Sequence, residues 1–271
     1  MTDQASKAQR LRELHHGESP LLLPNPWDIG SARLFASLGF QALATTSSGH
    51  AATLGRLDGG VSRDEALAHA AAIVAATDLP VSADLENCFA DDPAGVADTV
   101  ALAVAAGLAG CSVEDHTGDP DDPIYAANLA VERVAAAAEA AHAGPVQLVL
   151  TARSENFLHD RADLADTIAR LQAFQEAGAD VLYAPGLTVA DDIRAVVGSV
   201  DLPVNVLALP TAPPVAALAE LGVKRISVGS GFNLVGIGAV TAAAREFLES
   251  GTYGFWIQAT AGAAARDAAF D

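Results

Sequence analysis

Eight short β-type runs, each separated from the next by an alanine-rich helical stretch, leave few folds open to this chain. The runs are Leu21–Asn25, Ala42–Thr46, Pro80–Asp84, Gly110–Glu114, Val146–Arg153, Asp180–Ala184, Pro203–Leu207 and Arg225–Gly229. Between them, Asp64–Ala76, Pro93–Ala106, Asn128–Ala143, Leu164–Ala177, Val189–Val197 and Pro214–Leu221 read as helices. Strand alternating with helix predicts a parallel sheet, because a parallel neighbour requires a crossover of about that length. The helix exits repeat one pattern, in Leu38-Gly39-Phe40, Ala106-Gly107-Leu108, Ala177-Gly178-Ala179 and Leu221-Gly222-Val223. Each places glycine where a helix ends in a left-handed residue. Eight such units predict a single (β/α)8 barrel over residues 1–271; a doubly wound open sheet is the structural alternative. Residues 1–18 read as an N-terminal extension, and residues 235–271 as a C-terminal helical segment.

With 271 residues, 51% of them apolar, the chain has ample material for one large core. The formal charge of −19 argues against nucleic acid, which demands a basic surface. It also means that an anionic substrate needs a local positive site, because the overall field repels it. Apolar stretches are interrupted well before the ~18 residues of a membrane span, and the polar start MTDQASKAQRLRELHH lacks a signal-peptide core. A cytoplasmic protein is the expectation. Cys88 and Cys111 form no disulfide framework or zinc motif; Cys111, inside an apolar strand, reads as core, and Cys88, after the acidic loop, has no evident base to activate it.

In a barrel of this kind, chemistry sits at the C-terminal strand ends. Polar residues gather there: Thr45 to His50 after the second strand, Asp84 to Asn87 after the third, Glu114 to His116 after the fourth, Arg153 to Glu155 after the fifth, and Asn205 on the seventh. Asp84 and Glu114 end neighbouring strands, and two such carboxylates repel unless a cation or proton lies between them. Oxygen ligands without His or Cys favour Mg2+, or Mn2+, over zinc, with Glu86 and Asp115 available to extend the site. Arg153 is suited to grip a substrate carboxylate; a structural pair with Glu155 or Glu114 is its competing role. Thr46, Ser47 and Ser48 offer hydroxyls, and Gly49 close backbone approach. His50 and His116 are candidate proton carriers. Neither lysine suits the mouth: Lys7 lies in the extension and Lys224 at the N-terminal end of the eighth strand. The placement of both lysines argues against a Schiff base, and an enolate would need a metal.

These segments, in order, resemble the phosphoenolpyruvate mutase/isocitrate lyase superfamily. The likeness runs from about Leu23 to Gly231 through Pro24-Asn25-Pro26-Trp27-Asp28, Thr46-Ser47-Ser48-Gly49, Gly55-Arg56-Leu57-Asp58, Val81-Ser82-Ala83-Asp84, Ser112-Val113-Glu114-Asp115 and Thr151-Ala152-Arg153-Ser154-Glu155. The resemblance implies Mg2+ held by Asp84 and Glu114, with Asp58 acting through bound water, and a substrate carboxylate cradled by Thr46, Ser47 and Ser48. It implies C–C or P–C chemistry beside a 2-oxo acid through an enolate-like species, and a homo-oligomer, dimer or tetramer, that exchanges its last helix. Two departures narrow it. Ser82 stands where the family commonly has the first acid of Asp-Ala-Asp, and His116 to Asp122 lack the cysteine and lysine of the isocitrate lyases. The expectation is a lyase or decarboxylase of an oxaloacetate-like acid. A phosphonomutase and a catalytically weak metabolite-binding barrel are the alternatives.

Overall fold

The pleat of each strand sends alternate residues to opposite faces, and both faces are filled. A computed structural model describes residues 3–270. It contains β1 (Leu21–Leu23), β2 (Leu43–Ala44), β3 (Val81–Asp84), β4 (Gly110–Glu114), β5 (Val149–Arg153), β6 (Val181–Tyr183), β7 (Val204–Leu207) and β8 (Arg225–Ser227). The helices are α1 (Gln4–Leu14), α2 (Ile29–Ser37), α3 (Ser47–Thr53), α4 (Arg63–Ala76), α5 (Pro93–Ala105) and α6 (Ala127–His142). They continue with α7 (Leu164–Glu176), α8 (Ala190–Gly198), α9 (Val215–Glu220), α10 (Gly231–Arg245) and α11 (Trp256–Phe270). The predicted strands all form. Most are shorter than the apolar pattern suggests, because Pro80 and Pro203 lack the ladder donor, Thr46 caps α3, and Val228 and Gly229 donate to the Asn25 side chain instead of to a neighbouring strand.

All neighbouring strands are parallel, in the order β1-β8-β7-β6-β5-β4-β3-β2. The seam between β1 and β2 has no regular ladder, yet the Ala44 N–H donates to the Pro24 carbonyl at 3.1 Å. Asn25 completes the closure. Its amide donates to the Thr45 carbonyl at 3.0 Å, while its Oδ1 accepts the N–H groups of Val228 and Gly229. The open sheet is thereby excluded, and the protein is a (β/α)8 barrel. The four helix-exit glycines, Gly39, Gly107, Gly178 and Gly222, adopt φ of +89°, +86°, +103° and +89°, the region that glycine enters without steric cost.

Outward residues such as Val81, Ala83, Cys111, Val113, Leu150 and Ala152 pack against the helices in the main hydrophobic cluster. The barrel interior differs from layer to layer. Its lower end is apolar, with Leu21, Leu23, Ala42, Ala109, Val149 and Val181 closed off by Ala8 and Leu11 of α1. Above them, Ser82, Ser112, Thr151, Asn205 and Arg225 are all buried, where branched apolar side chains usually fill such a barrel. The mouth above carries Asp84, Glu114 and Arg153.

Within the N-terminal extension, α1 packs against the lower end of the barrel. Gln4 donates to the carbonyls of Val104 and Leu108, Lys7 to that of Thr77, and Arg12 pairs with Asp180. Lys224 lies at this lower end, as its position in the strand suggests, with its ammonium on the Gly17 carbonyl. At the other extreme of the chain, α11 packs beside α2 yet buries no residue fully, and α10 buries only Asn233. No helix among the described residues is long and apolar enough to cross a membrane.

Candidate active site

Parallel pairing places Glu114 directly beside Arg153, and Asp84 beside Ser112, at the C-terminal ends of β3, β4 and β5. The three charged groups meet. The Arg153 guanidinium donates through Nη1 to Asp84 at 2.9 Å and through Nε to Glu155 at 2.7 Å, and its Nη2 lies 3.1 Å from Glu114. Both structural pairs weighed for Arg153 are present, and two of its five N–H groups are left for a ligand. The second Asp84 oxygen accepts both the N–H and the hydroxyl of Ser47, at 3.2 and 3.1 Å. Although burial opposes its charge, the carboxylates of Glu155, Glu114 and Asp84 hold Arg153 protonated far above its ordinary range.

One guanidinium does not neutralise this mouth. Burial first, then the charges of Asp84, Glu114 and Asp58, push Glu86 up to about 8. Burial also raises Asp58, with Asp84 and Glu114 adding to it against the Ser47 hydroxyl. Glu86 carries a second cost: φ is +51° there, and Cys88 and Phe89 are likewise left-handed at +60° and +56°. Arg133, fully buried on α6, braces this turn by donating to the carbonyls of Asn87, Ala90 and Asp91 while stacking over Tyr125. An acid whose folded pKa is raised stabilises the fold below its unfolded value and loses that contribution as pH climbs through the folded one. In chelator, urea stability should therefore decline between pH 4.5 and 8. Glu86→Gln should flatten that decline by roughly 1–3 kcal/mol. Parallel curves for the two proteins would show that Glu86 is solvated.

Two spaces that share Ser47, Asp58, Arg153 and Leu158 in their walls open here. An inner cavity of about 220 Å³ is lined by Thr46, Ser47, Ser48, Asp58, Ser82, Asp84, Ser112, Arg153 and Arg225, among others. An outer one of about 690 Å³ is lined by Asp58, Glu86, Glu114, His116, Arg153 and His159. Most of the expected site residues thus converge. His116 stacks on His159 with ring centroids 3.8 Å apart and lies 3.7 Å from Glu114. His159 escaped sequence reasoning because its loop carries no pattern.

Several expectations need correction. Gly49 lies inside α3, where a Cβ would sit 2.6 Å from Thr46 Cγ2, so it serves packing rather than substrate approach and lines neither cavity. His50 stacks on His69 at 3.8 Å behind Ser47 and outside both cavities. Asn205 is buried one layer lower, donating to Ser227. Asp115 turns inward to Arg170 and accepts the Glu155 N–H. Cys111, by contrast, lies in the core as its apolar strand suggests, with Cys88 buried in the same cluster, and burial pushes the Cys111 thiol up to about 12.

No group of three His, Cys, Asp or Glu side chains shares one point among the described residues. That does not conflict with a hard cation, since Mg2+ takes one or two carboxylates and fills its octahedron with water and substrate. The all-oxygen donors and the unneutralised negative charge fit such an ion, with Asp84 and Glu114 as the groups to hold it.

A (β/α)8 barrel whose mouth gathers acids and one arginine over a small polar cavity is built as an enzyme of small anionic molecules. The chain belongs to the phosphoenolpyruvate phosphomutase family, matched over residues 11–248, within the phosphoenolpyruvate mutase/isocitrate lyase superfamily of lyases and mutases acting on small carboxylic acids. An uncharacterized Mycobacterium tuberculosis H37Rv protein is 34% identical over 235 residues, 86% of each chain. The 2-methylisocitrate lyase of Escherichia coli K12 is 31% identical over 195 residues, 69% of this chain and 64% of that one. A crystal structure from Burkholderia cenocepacia, provisionally described as a lyase/mutase, superimposes with TM-score 0.91 at 52% identity, covering 93% of this chain and 91% of that one. That of 2,3-dimethylmalate lyase gives 0.82 at 27%, covering 94% and 90%.

Proposed function

We propose that this protein is a Mg2+-dependent lyase that breaks a C–C bond beside the carbonyl of a small 2-oxo carboxylic acid of the oxaloacetate kind, through an enolate. The observation that carries this reading is the surplus of carboxylates, Asp58, Asp84, Glu86 and Glu114, around Arg153 at the top of a polar cavity. Asp84 and Glu114 are the groups that would hold Mg2+, or Mn2+, with Glu86 and Asp58 reaching it through water. Such an ion supplies positive charge against the oxygen that becomes negative as the bond breaks.

The chain's own residues do the rest. Arg153 fixes both acids in place and turns its remaining N–H groups to the substrate. Ser47 holds Asp84 from below through its N–H and hydroxyl, while Thr46 and Ser48 face the inner cavity beside a substrate carboxylate. His116, with His159 stacked behind it, stands on the open side of the cavity, where a proton must be delivered once the bond is broken. A panel of 2-oxo acids run with Mg2+ and with EDTA tests the reading; turnover lost in EDTA supports it. Binding without turnover would favour a metabolite-binding barrel instead. The family match also favours a phosphonomutase, and phosphorus NMR on phosphonopyruvate would reveal phosphoenolpyruvate if that reaction occurs.

A cytoplasmic location accords with the buried, unpaired cysteines. The C-terminal segment completes the proposal. Leu234, Val235, Ile237, Val240, Phe247, Leu248, Trp256 and Ile257 are exposed, an apolar surface that one chain leaves in water. It is proposed to pack on a second copy, giving a dimer or tetramer. Light scattering of the full chain should show that assembly, and Val240→Glu with Ile257→Glu should dissociate it; a monomeric wild type would end the idea.

A further inference from the structure

Arg225, the first residue of β8, lies inside the barrel below Arg153 and is 5% exposed. Its Nη1 donates to Thr151 Oγ1 on β5, across the interior, at 2.9 Å, and its buried Nε has no partner. No carboxylate among the described residues lies within ion-pair distance of it. Other arginines shielded by this fold are treated differently. Arg153 meets Asp84, Glu114 and Glu155, Arg170 meets Asp115 and Asp166, and Arg133, though its Nε is also unpartnered, stacks on Tyr125, donates through both Nη atoms to backbone carbonyls and lines neither cavity.

The surroundings deepen the anomaly. Beneath Arg225, burial and the arginine's own charge push His15 down to about 3, so it stays neutral and its Nε2 is unpartnered. Above stand Tyr183, Arg153 and Asp84; burial pulls Arg225 itself down to about 10, Arg153 adding to that while Tyr183 and Asp84 oppose it. A chain of net charge −19 thus leaves a buried cation without an acid. An unpaired buried charge is strongly unfavourable, so such a cation is retained where a ligand provides its counter-ion. Arg225 lines the inner cavity together with Ser112 and Ser227, hydroxyl donors suited to the same anion.

We propose that Arg225, with the hydroxyls of Ser112 and Ser227, is an inner anion site that takes the second carboxylate of a dicarboxylate substrate whose 2-oxo end lies at the mouth. The inference rests on the lyase reading for the orientation of that substrate, and it narrows the substrate class from 2-oxo acids in general to those with two carboxylates. A planar guanidinium presents paired N–H groups that match a carboxylate in two-point contact.

The test is calorimetry on the full-length protein in saturating Mg2+, with succinate and butyrate as unreactive probes that share a four-carbon skeleton. Succinate should bind at least tenfold tighter, about 1.4 kcal/mol. Arg225→Met should remove that preference and leave butyrate within twofold, while Arg225→Lys retains part of it. Equal binding of the two probes to the wild type, or an unchanged preference in Arg225→Met, overturns the site. So does inorganic phosphate displacing succinate at equal concentration, which would mark a free inorganic anion instead. Should Arg225→Met melt early, Thr151→Val, which frees the guanidinium from its one hydrogen-bond partner among the described residues, should lower the preference about threefold; no change there also overturns the site. Failure of the lyase reading is distinguishable, because it would appear as absent turnover with the Arg225-dependent preference intact.

Discussion

Replacing Asp84 with Ala should lower kcat/KM on the best 2-oxo acid by at least three orders of magnitude, about 4 kcal/mol of transition-state stabilisation. The figure follows from what the side chain does twice over. One oxygen is on Arg153 at 2.9 Å and the other on Ser47, so on the proposed reading its loss would remove a metal ligand and loosen the groups that orient the substrate. The fold should tolerate the change, because Arg153 keeps Glu114 and Glu155. Thermal denaturation should therefore move little while turnover collapses. Glu114→Ala should behave alike, and the double variant should be scarcely worse than either single one, as expected of residues that act as a unit. Steady-state kinetics across a Mg2+ titration checks this. A tenfold loss or less would mean that Asp84 is a structural partner of Arg153 and nothing more.

For Arg153→Met the larger effect is on stability. Removing the guanidinium leaves Asp84, Glu114 and Glu155 facing one another, with Glu155 almost wholly buried. Breaking a buried ion pair from one side costs roughly 3–5 kcal/mol, which for a chain of this size lowers Tm by on the order of 10 °C. Its pH dependence follows. Acids stripped of their cation titrate higher when folded, so the variant is most stable at low pH and loses stability as pH rises toward neutrality. Mg2+ should stabilise the variant more than the wild type, since it replaces the missing positive charge. Calorimetric scans at pH 5 and pH 8, with and without Mg2+, contain the whole prediction. A variant melting with the wild type at pH 8 in chelator would place Arg153 in solvent and remove the electrostatic account of the mouth.

How much of this was legible beforehand depends on range. Strand ends and helix exits could be read because alternation and a left-handed glycine are local, period-bound signals; Gly39, Gly107, Gly178 and Gly222 each behave as their sequence context suggests. Asp84, Glu114 and Arg153 were legible as the polar ends of apolar runs. Glu86 was legible as a candidate, but not its left-handed backbone. Arg225 was hidden beside Lys224. In a strand, adjacent residues point oppositely, so Lys224 reaches the outer Gly17 while Arg225 enters the barrel. Counting that parity against Ser227 was the signal available. Gly49 misled because a Ser/Gly segment reads as a turn, whereas Thr46 caps a short helix there.

The sequence by itself determined the alternation of strand and helix, the parallel sheet and the acids that end its strands, because each depends on neighbours a few residues apart. Tertiary structure alone decided that α1 seals the barrel floor, that Arg153 is shared among three carboxylates, and that Arg225 is buried without one. Those are statements about distance between residues far apart in the chain, and charge and burial take their meaning only once closure of the barrel has set that distance.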